Sequence, residues 1–325
     1  MKAKYFIQAL LIVFVFSGCK TNKDKKEILI TVNQYVHHPN LKKTMDGVKE
    51  VLSQWSKENH KNIKYDIQVA NADVSLATQI AKQQAMKNPD IMLALATPSA
   101  QACQKATNTI PIVFGAITDP VKAGLVKSLE HPGGNITGTS DQWPYDKQFE
   151  LIRDIFPNAK KIGVVLNPGE ANTEASMKKI KEVSKKYGFE IIEAPVSSTS
   201  EIFSAANSLV GKCDIFFAPA DNTVLSGLEA FVKVSRTNNI PLFVGDEGSV
   251  EKGGIATFGV DYYELGKDTG KLIVRILNGE KPADIPVVVG NKGKLVVNED
   301  ALKYFNITIP DKYLNKSIKE PVLQE

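Results

Sequence analysis

Uninterrupted apolar runs alternate with segments of helical periodicity along most of this chain, and that alternation leaves few folds open. Ile28 to Val32, Ile63 to Ala70, Ile91 to Ala96 and Pro111 to Ile117 read as strands. Between them, Pro39 to Asn59 places Leu41, Met45, Val48, Leu52 and Trp55 on one helical stripe, and Val74 to Lys87 repeats the pattern. A strand that is apolar on both sides must be covered on both sides. Strands of this kind between amphipathic helices predict a parallel α/β sheet with helices on each face.

The same order returns further along. Lys161 to Asn167, Phe189 to Val196, Asp214 to Pro219 and Pro241 to Gly245 read as strands. Glu170 to Tyr187, Ser200 to Leu209 and Asn222 to Asn239 read as the helices between them. Ile255 to Val260 is a further strand, Tyr262 to Gly279 a further helix and Lys294 to Asn298 a last strand. The length of 325 residues suits two such units. Short segments near 140, 260 and 283 can carry the chain between them, which predicts a hinged clamshell. The first lobe is expected over 27–140 plus 261–282, the second over 141–260 plus 283–325.

Charge separates the N-terminus from the body. Six lysines precede Glu27 with only Asp24 opposing them; from Glu27 onward 34 basic residues face 35 acidic ones. The body is therefore not expected to bind nucleic acid through charge. Lys2 and Lys4 followed by the apolar run Phe6 to Phe16 read as a secretory signal, too short to span a bilayer. Phe16-Ser17-Gly18-Cys19 resembles a bacterial lipoprotein cleavage box, with Phe in place of the usual Leu. It implies removal of 1–18, a lipid on the Cys19 thiol and a tether over 19–26. An ordinary signal peptide cut near Cys19 is the alternative. Cys103 and Cys213 fall in different lobes and read as small thiols. No histidine stands at metal-ligand spacing to a cysteine, so no metal is expected.

In open parallel sheets, ligands sit beyond the carboxyl ends of the strands. Those ends carry Thr97-Pro98-Ser99-Ala100-Gln101, Thr118, Asp141, Asn172, Asp221-Asn222 and Asp246. Thr97 and Pro98 open a helix, whose free N–H groups and the Thr97 and Ser99 hydroxyls could cradle a carboxylate. A capped helix without a ligand fits the same residues. Asp141 or Asp246 could take an ammonium, since a buried charge needs a partner. Tyr35, Phe114, Trp143 and Tyr145 could stack on a ring or pack in the core. Nucleophile elbow, Walker loop and dinucleotide fingerprint are all lacking, so an enzyme is not expected and no cofactor is implied.

Several of these runs occur together in one family. Ala96 to Gln101, Ile110 to Phe114, Thr118 to Val126, Pro132 to Gly138, Ser140-Asp141, Asn167 to Asn172, Pro219 to Asn222, Gly245-Asp246 and Tyr263 to Gly266 resemble the ABC-transporter substrate-binding lipoproteins whose characterised members bind tryptophan or tyrosine. The resemblance implies the type I periplasmic-binding-protein fold: two Rossmann-like lobes, three hinge crossings and a small amino-acid-like ligand between them. It also implies an ABC permease and ATPase as partners, an extracytoplasmic, membrane-anchored location and a monomeric receptor. Thr97, Ser99, Ala100, Gln101, Phe114, Thr118, Asp141, Trp143, Asn172, Asp221, Asn222 and Asp246 form the expected binding set. One departure stands beside the cleft: Asn40-Leu41-Lys42 follows His38-Pro39, where family members often have an apolar residue, Leu and Asp. The rival reading of the clamshell is a sensor reporting to a membrane receptor.

Overall fold

A computed structural model describes residues 26–290 and 293–314. The signal segment, Cys19 and the tether up to residue 25 lie outside the described residues. The first lobe begins with β1 (Glu27–Gln34), α1 (Pro39–Glu58), β2 (Asn62–Val69), α2 (Val74–Met86), β3 (Ile91–Leu95), α3 (Thr97–Ala106), β4 (Ile112–Ile117) and β5 (Ile136–Ser140). The chain crosses and forms α4 (Tyr145–Ile155), β6 (Lys161–Leu166), α5 (Ala171–Lys186), β7 (Glu190–Pro195), α6 (Ile202–Ser208) and β8 (Ile215–Ala218). It continues through α7 (Asn222–Ser226), α8 (Leu228–Thr237), β9 (Leu242–Val244), α9 (Glu247–Glu251) and β10 (Ala256–Phe258). After α10 (Tyr262–Leu277) and β11 (Val288–Val289), the second lobe is completed by β12 (Leu295–Val297), α11 (Glu299–Tyr304) and α12 (Asp311–Leu314).

Both main sheets are parallel. The first has the order β11-β5-β4-β3-β1-β2, the second β7-β6-β8-β9. Every residue of β3 and β4 is buried, as their unbroken apolar sequence requires. Helices α1 and α10 lie side by side on the first sheet. Their backbones touch because glycines meet there: a Cβ on Gly47 would stand 2.2 Å from the Tyr263 carbonyl oxygen, and one on Gly266 2.1 Å from that of Thr44. Cys103 and Cys213 are free thiols, pushed up to about 12 and about 11 by burial.

Three points differ from the sequence-based expectation. The third crossing is not at 283. Val288 pairs with Thr139 and Val289 with Ser140, so the segment 283–290 stays on the first lobe and passes over only between β11 and β12. The Thr137 hydroxyl fixes this path by donating to the Ile285 carbonyl at 2.7 Å, and Gly290 N–H donates to Ser140 O at 2.8 Å. The helix expected over Asn222 to Asn239 is broken at Gly227 into α7 and α8. Helix α4 was not anticipated, although Tyr145, Phe149 and Ile152 recur at helical spacing and are all buried, and neither were the short helices α9, α11 and α12.

Candidate ligand cleft between the lobes

The carboxyl ends of the two sheets face each other across a small cleft of about 40 Å³. The first lobe contributes Val36, Leu41, Ala96, Thr97, Ala116 and Thr118; the second contributes Asn172, Ala220, Asp221, Asn222 and Leu225. Asp141, Trp143 and Tyr262, from the first two crossings, close the hinge side, with His38 and Asn40 beside them. Two alanines on the first wall, Ala96 and Ala116, have φ of 76° and 59°. A side chain other than glycine in that region costs about 1–3 kcal/mol and persists where the surrounding fold holds it. Both lie where strands β3 and β4 give way to the cleft.

Asp141 is the chemical centre of the hinge wall. Its Oδ2 accepts from the Tyr262 hydroxyl at 2.7 Å, and that hydroxyl accepts from Trp143 Nε1 at 2.9 Å. Its Oδ1 is buried and makes no hydrogen bond of good geometry, although the Thr118 hydroxyl stands near enough to the carboxyl to favour its ionised form. Burial pushes the carboxyl up to about 6, against the pull of the Tyr262 hydrogen bond; the Asp246 charge pushes the same way. Tyr262 is held well above the usual phenol range by burial and by the Asp141 charge.

The opposite wall is ordered by two buried acids. Glu170 Oε2 accepts from Asn172 Nδ2 at 2.9 Å and from Asn222 N–H and Nδ2 at 3.0 and 2.7 Å. Its Oε1 accepts from Thr223 N–H at 2.9 Å and the Thr223 hydroxyl at 2.7 Å. Asp221 Oδ1 caps α7 through Val224 N–H at 2.9 Å, while Oδ2 accepts from the Thr173 hydroxyl at 2.9 Å and from Asn167 N–H. Burial, then the Glu170 charge, raises the Asp221 carboxyl. Asn172 donates both ways, to Glu170 and to Ala220 O at 2.8 Å, which leaves its Oδ1 buried and unpaired on the cleft wall. Glu170 was missed as a site residue; its signal was its place in the polar run after β6.

Of the twelve residues expected to bind, Thr97, Thr118, Asp141, Trp143, Asn172, Asp221 and Asn222 line the cleft. The other five do not, and each has a physical reason. The Ser99 hydroxyl donates to Asn33 Oδ1 at 2.8 Å. The Ala100 N–H donates to Ala96 O at 3.1 Å within the first helical turn. The Gln101 amide donates to Ala123 O at 3.0 Å. Phe114 is wholly buried in the sheet core, over Gly138. Asp246 caps α9, accepting from Ser249 N–H at 2.9 Å and the Ser249 hydroxyl at 2.6 Å. Tyr35 is also withdrawn, its hydroxyl donating to Ala72 O at 2.9 Å.

Tyr262, His38 and Asn40 are cleft residues that the sequence reading did not select. His38 Nδ1 accepts from Asn40 N–H at 3.3 Å as it caps α1, so its Nε2 carries the proton of the neutral ring. That Nε2 is buried, lacks a hydrogen-bond partner and lies 3.9 Å from Asp246 Oδ1. Burial lowers the His38 titration more than the Asp246 charge raises it.

Two α/β lobes joined by three crossings, with polar groups aimed into a small shared pocket, form the architecture of a solute-binding protein. Sequence comparison gives the family. The profile of the family described as "ABC transporter substrate binding protein" matches residues 29–320. A "Tyrosine-binding protein" of Clostridioides difficile is 39% identical over 309 residues, 91% of this chain and 90% of that protein. A crystal structure of an ABC domain in complex with L-Trp from Streptococcus pneumoniae is 36% identical and superimposes with a TM-score of 0.86, covering 90% of this chain and 98% of that one. The ligand-free, open structure of a substrate binding protein with adhesive properties from Clostridium difficile is 38% identical, with a TM-score of 0.67 over 90% of this chain and 100% of that one. The chain belongs to the ABC transporter substrate-binding protein family and has the type I periplasmic-binding-protein fold; it is a solute-binding protein and not an enzyme.

Proposed function

We propose that this protein captures an aromatic amino acid outside the cytoplasm, tethered through a lipid on Cys19, and delivers it as a monomer to an ABC permease and its ATPase. The observation that carries the ligand class is the unpaired Oδ1 of Asp141. Asp221, Asp246 and Glu170 have both oxygens engaged by neighbouring donors, whereas Asp141, which lines the cleft, keeps one oxygen without a hydrogen bond. One buried carboxylate without a cation calls for one ammonium group. Asn172 Oδ1, a second orphaned acceptor, suits another of its N–H bonds.

The N-terminus of α3 supplies donors for the ligand carboxylate. Thr97 lies on the cleft wall, and the first turn of a ten-residue helix leaves N–H groups without intrahelical partners. Val36, Leu41, Leu225 and Trp143 supply an apolar and aromatic surface for the side chain. The relatives point the same way: one is named for tyrosine and another holds L-Trp. The closer match to the L-Trp complex than to the open, ligand-free structure, at nearly equal identity, supports a lobe arrangement shut over the cleft.

A thermal-shift screen of the mature protein against the amino acids tests this. A ligand of the folded state adds about 2.7 kcal/mol of stability at a hundredfold excess over its Kd. Tyrosine, tryptophan or phenylalanine should raise the melting temperature. No shift with any of the three would remove the aromatic class.

A further inference from the structure

Asp246, expected at the ligand, is bound instead by a residue from the other lobe. Asn40 stands in the first turn of α1, on the first lobe, and reaches α9 on the second. Its Nδ2 donates to Asp246 Oδ1 at 2.7 Å, and its Oδ1 accepts from Gly248 N–H at 3.1 Å. One side-chain amide thus holds a carboxylate and a backbone N–H of the opposite lobe at once. Asn40 is 3% exposed and Asp246 0%. The approach is close enough to require glycine at 248: a Cβ there would lie 2.6 Å from Asn40 Oδ1 and 3.0 Å from both His38 Cε1 and Pro39 Cβ.

The surrounding contacts reinforce the pair. Lys43, one turn along α1, meets Glu247 at 3.2 Å and Glu251 at 2.8 Å, both on α9. Across the cleft, Lys122 meets Glu174 of α5 at 3.1 Å, but that glutamate is 73% exposed. A solvent-exposed pair adds about 0–1 kcal/mol. A buried hydrogen bond to a charged acceptor adds more, and its groups must be rehydrated when it opens.

We propose that Asn40 is an interlobe clasp, which holds α9 against α1 while the cleft is shut and so sets how fast the protein reopens. The same contact withdraws Asp246 from the ligand and leaves Asp141 as the acid that meets it. The clasp rests on the hinged-lobe reading but not on the identity of the ligand.

The test is made on the full mature protein with Asn40→Ala and, as a variant of nearly equal volume, Asn40→Asp, whose carboxylate would repel Asp246. Small-angle scattering gives the radius of gyration without ligand. Stopped-flow fluorescence gives the release rate of whichever amino acid the parent binds. Both variants should have a larger ligand-free radius than the parent, and Asn40→Ala should release ligand about tenfold to a hundredfold faster. Lys43→Ala, a change at a half-buried side chain, should move both in the same direction by less. Unchanged radius and release rate in Asn40→Ala would overturn the clasp. So would a lower melting temperature with an unchanged radius, which marks a permanent lobe interface. The ligand-free radius reads the clasp even if no aromatic amino acid binds.

Discussion

Asp141 owes its chemistry to its surroundings. Placed by the first crossing, it is removed from water, given one hydrogen bond by Tyr262 and left with one oxygen unsatisfied. Burial raises its carboxyl from 3.8 to about 6. The sign of the resulting pH dependence follows from linkage. Between pH 4 and 6 the folded, empty protein keeps a proton that the unfolded chain has lost, so its stability falls as pH rises through that window. An ammonium ligand needs the ionised acid, so affinity runs the other way. It should weaken by about tenfold per pH unit well below 6, with a proton released on binding near pH 6, which calorimetry in buffers of different ionisation enthalpy can measure. Asp141 was legible in the sequence because it follows a strand end. Phe114 was misread because side chains alternate across a sheet, and β4 is irregular between Phe114 and Ile117, with Ala116 at positive φ. No local pattern announces that irregularity, and it decides which residues of the strand reach the cleft.

Secondary-structure elements were the most legible level. Continuous apolar strands and long amphipathic helices follow from burial alone, and β3, β4, α1 and α10 lie where periodicity puts them. The failures come from short elements whose existence depends on contacts distant in sequence. Strand β11 is two residues long and exists because β5 offers it an edge. The same holds for the break between α7 and α8, where a Cβ on Gly227 would stand 2.6 Å from Ile202 Cδ1 of α6. Phe114 is wholly buried in β4 and packs in the core. Phe114→Ala should cost about 3–5 kcal/mol in urea unfolding. The parent's ligand affinity should survive under conditions where the variant remains folded, because Phe114 does not line the cleft. A large loss of affinity in a folded variant would return Phe114 to the binding surface.

At the scale of the whole molecule, two parallel sheets point their carboxyl ends at one another, and every polar group aimed into the cleft comes from a strand end, a helix start or a crossing. This convergence could be inferred from the order of elements. What could not be inferred is which groups would still be free after folding. Four acids, Asp141, Glu170, Asp221 and Asp246, stand at or near the cleft, and three are saturated by local donors together with partners far away in the chain, Asp246 by Ser249 and by Asn40 across the lobes. The sequence puts all of them at the right end of the sheets; only packing separates the one that is free from the three that order the walls. In the function proposed here, recognition depends on a single unpaired carboxylate oxygen. The most direct test is isothermal titration of tyrosine, tryptophan and phenylalanine into the parent and into Asp141→Asn at pH 7.5. At least one should bind the parent, and the variant, folded but without the charge, should bind it about tenfold to a hundredfold more weakly. Equal affinity in the two proteins would contradict the account.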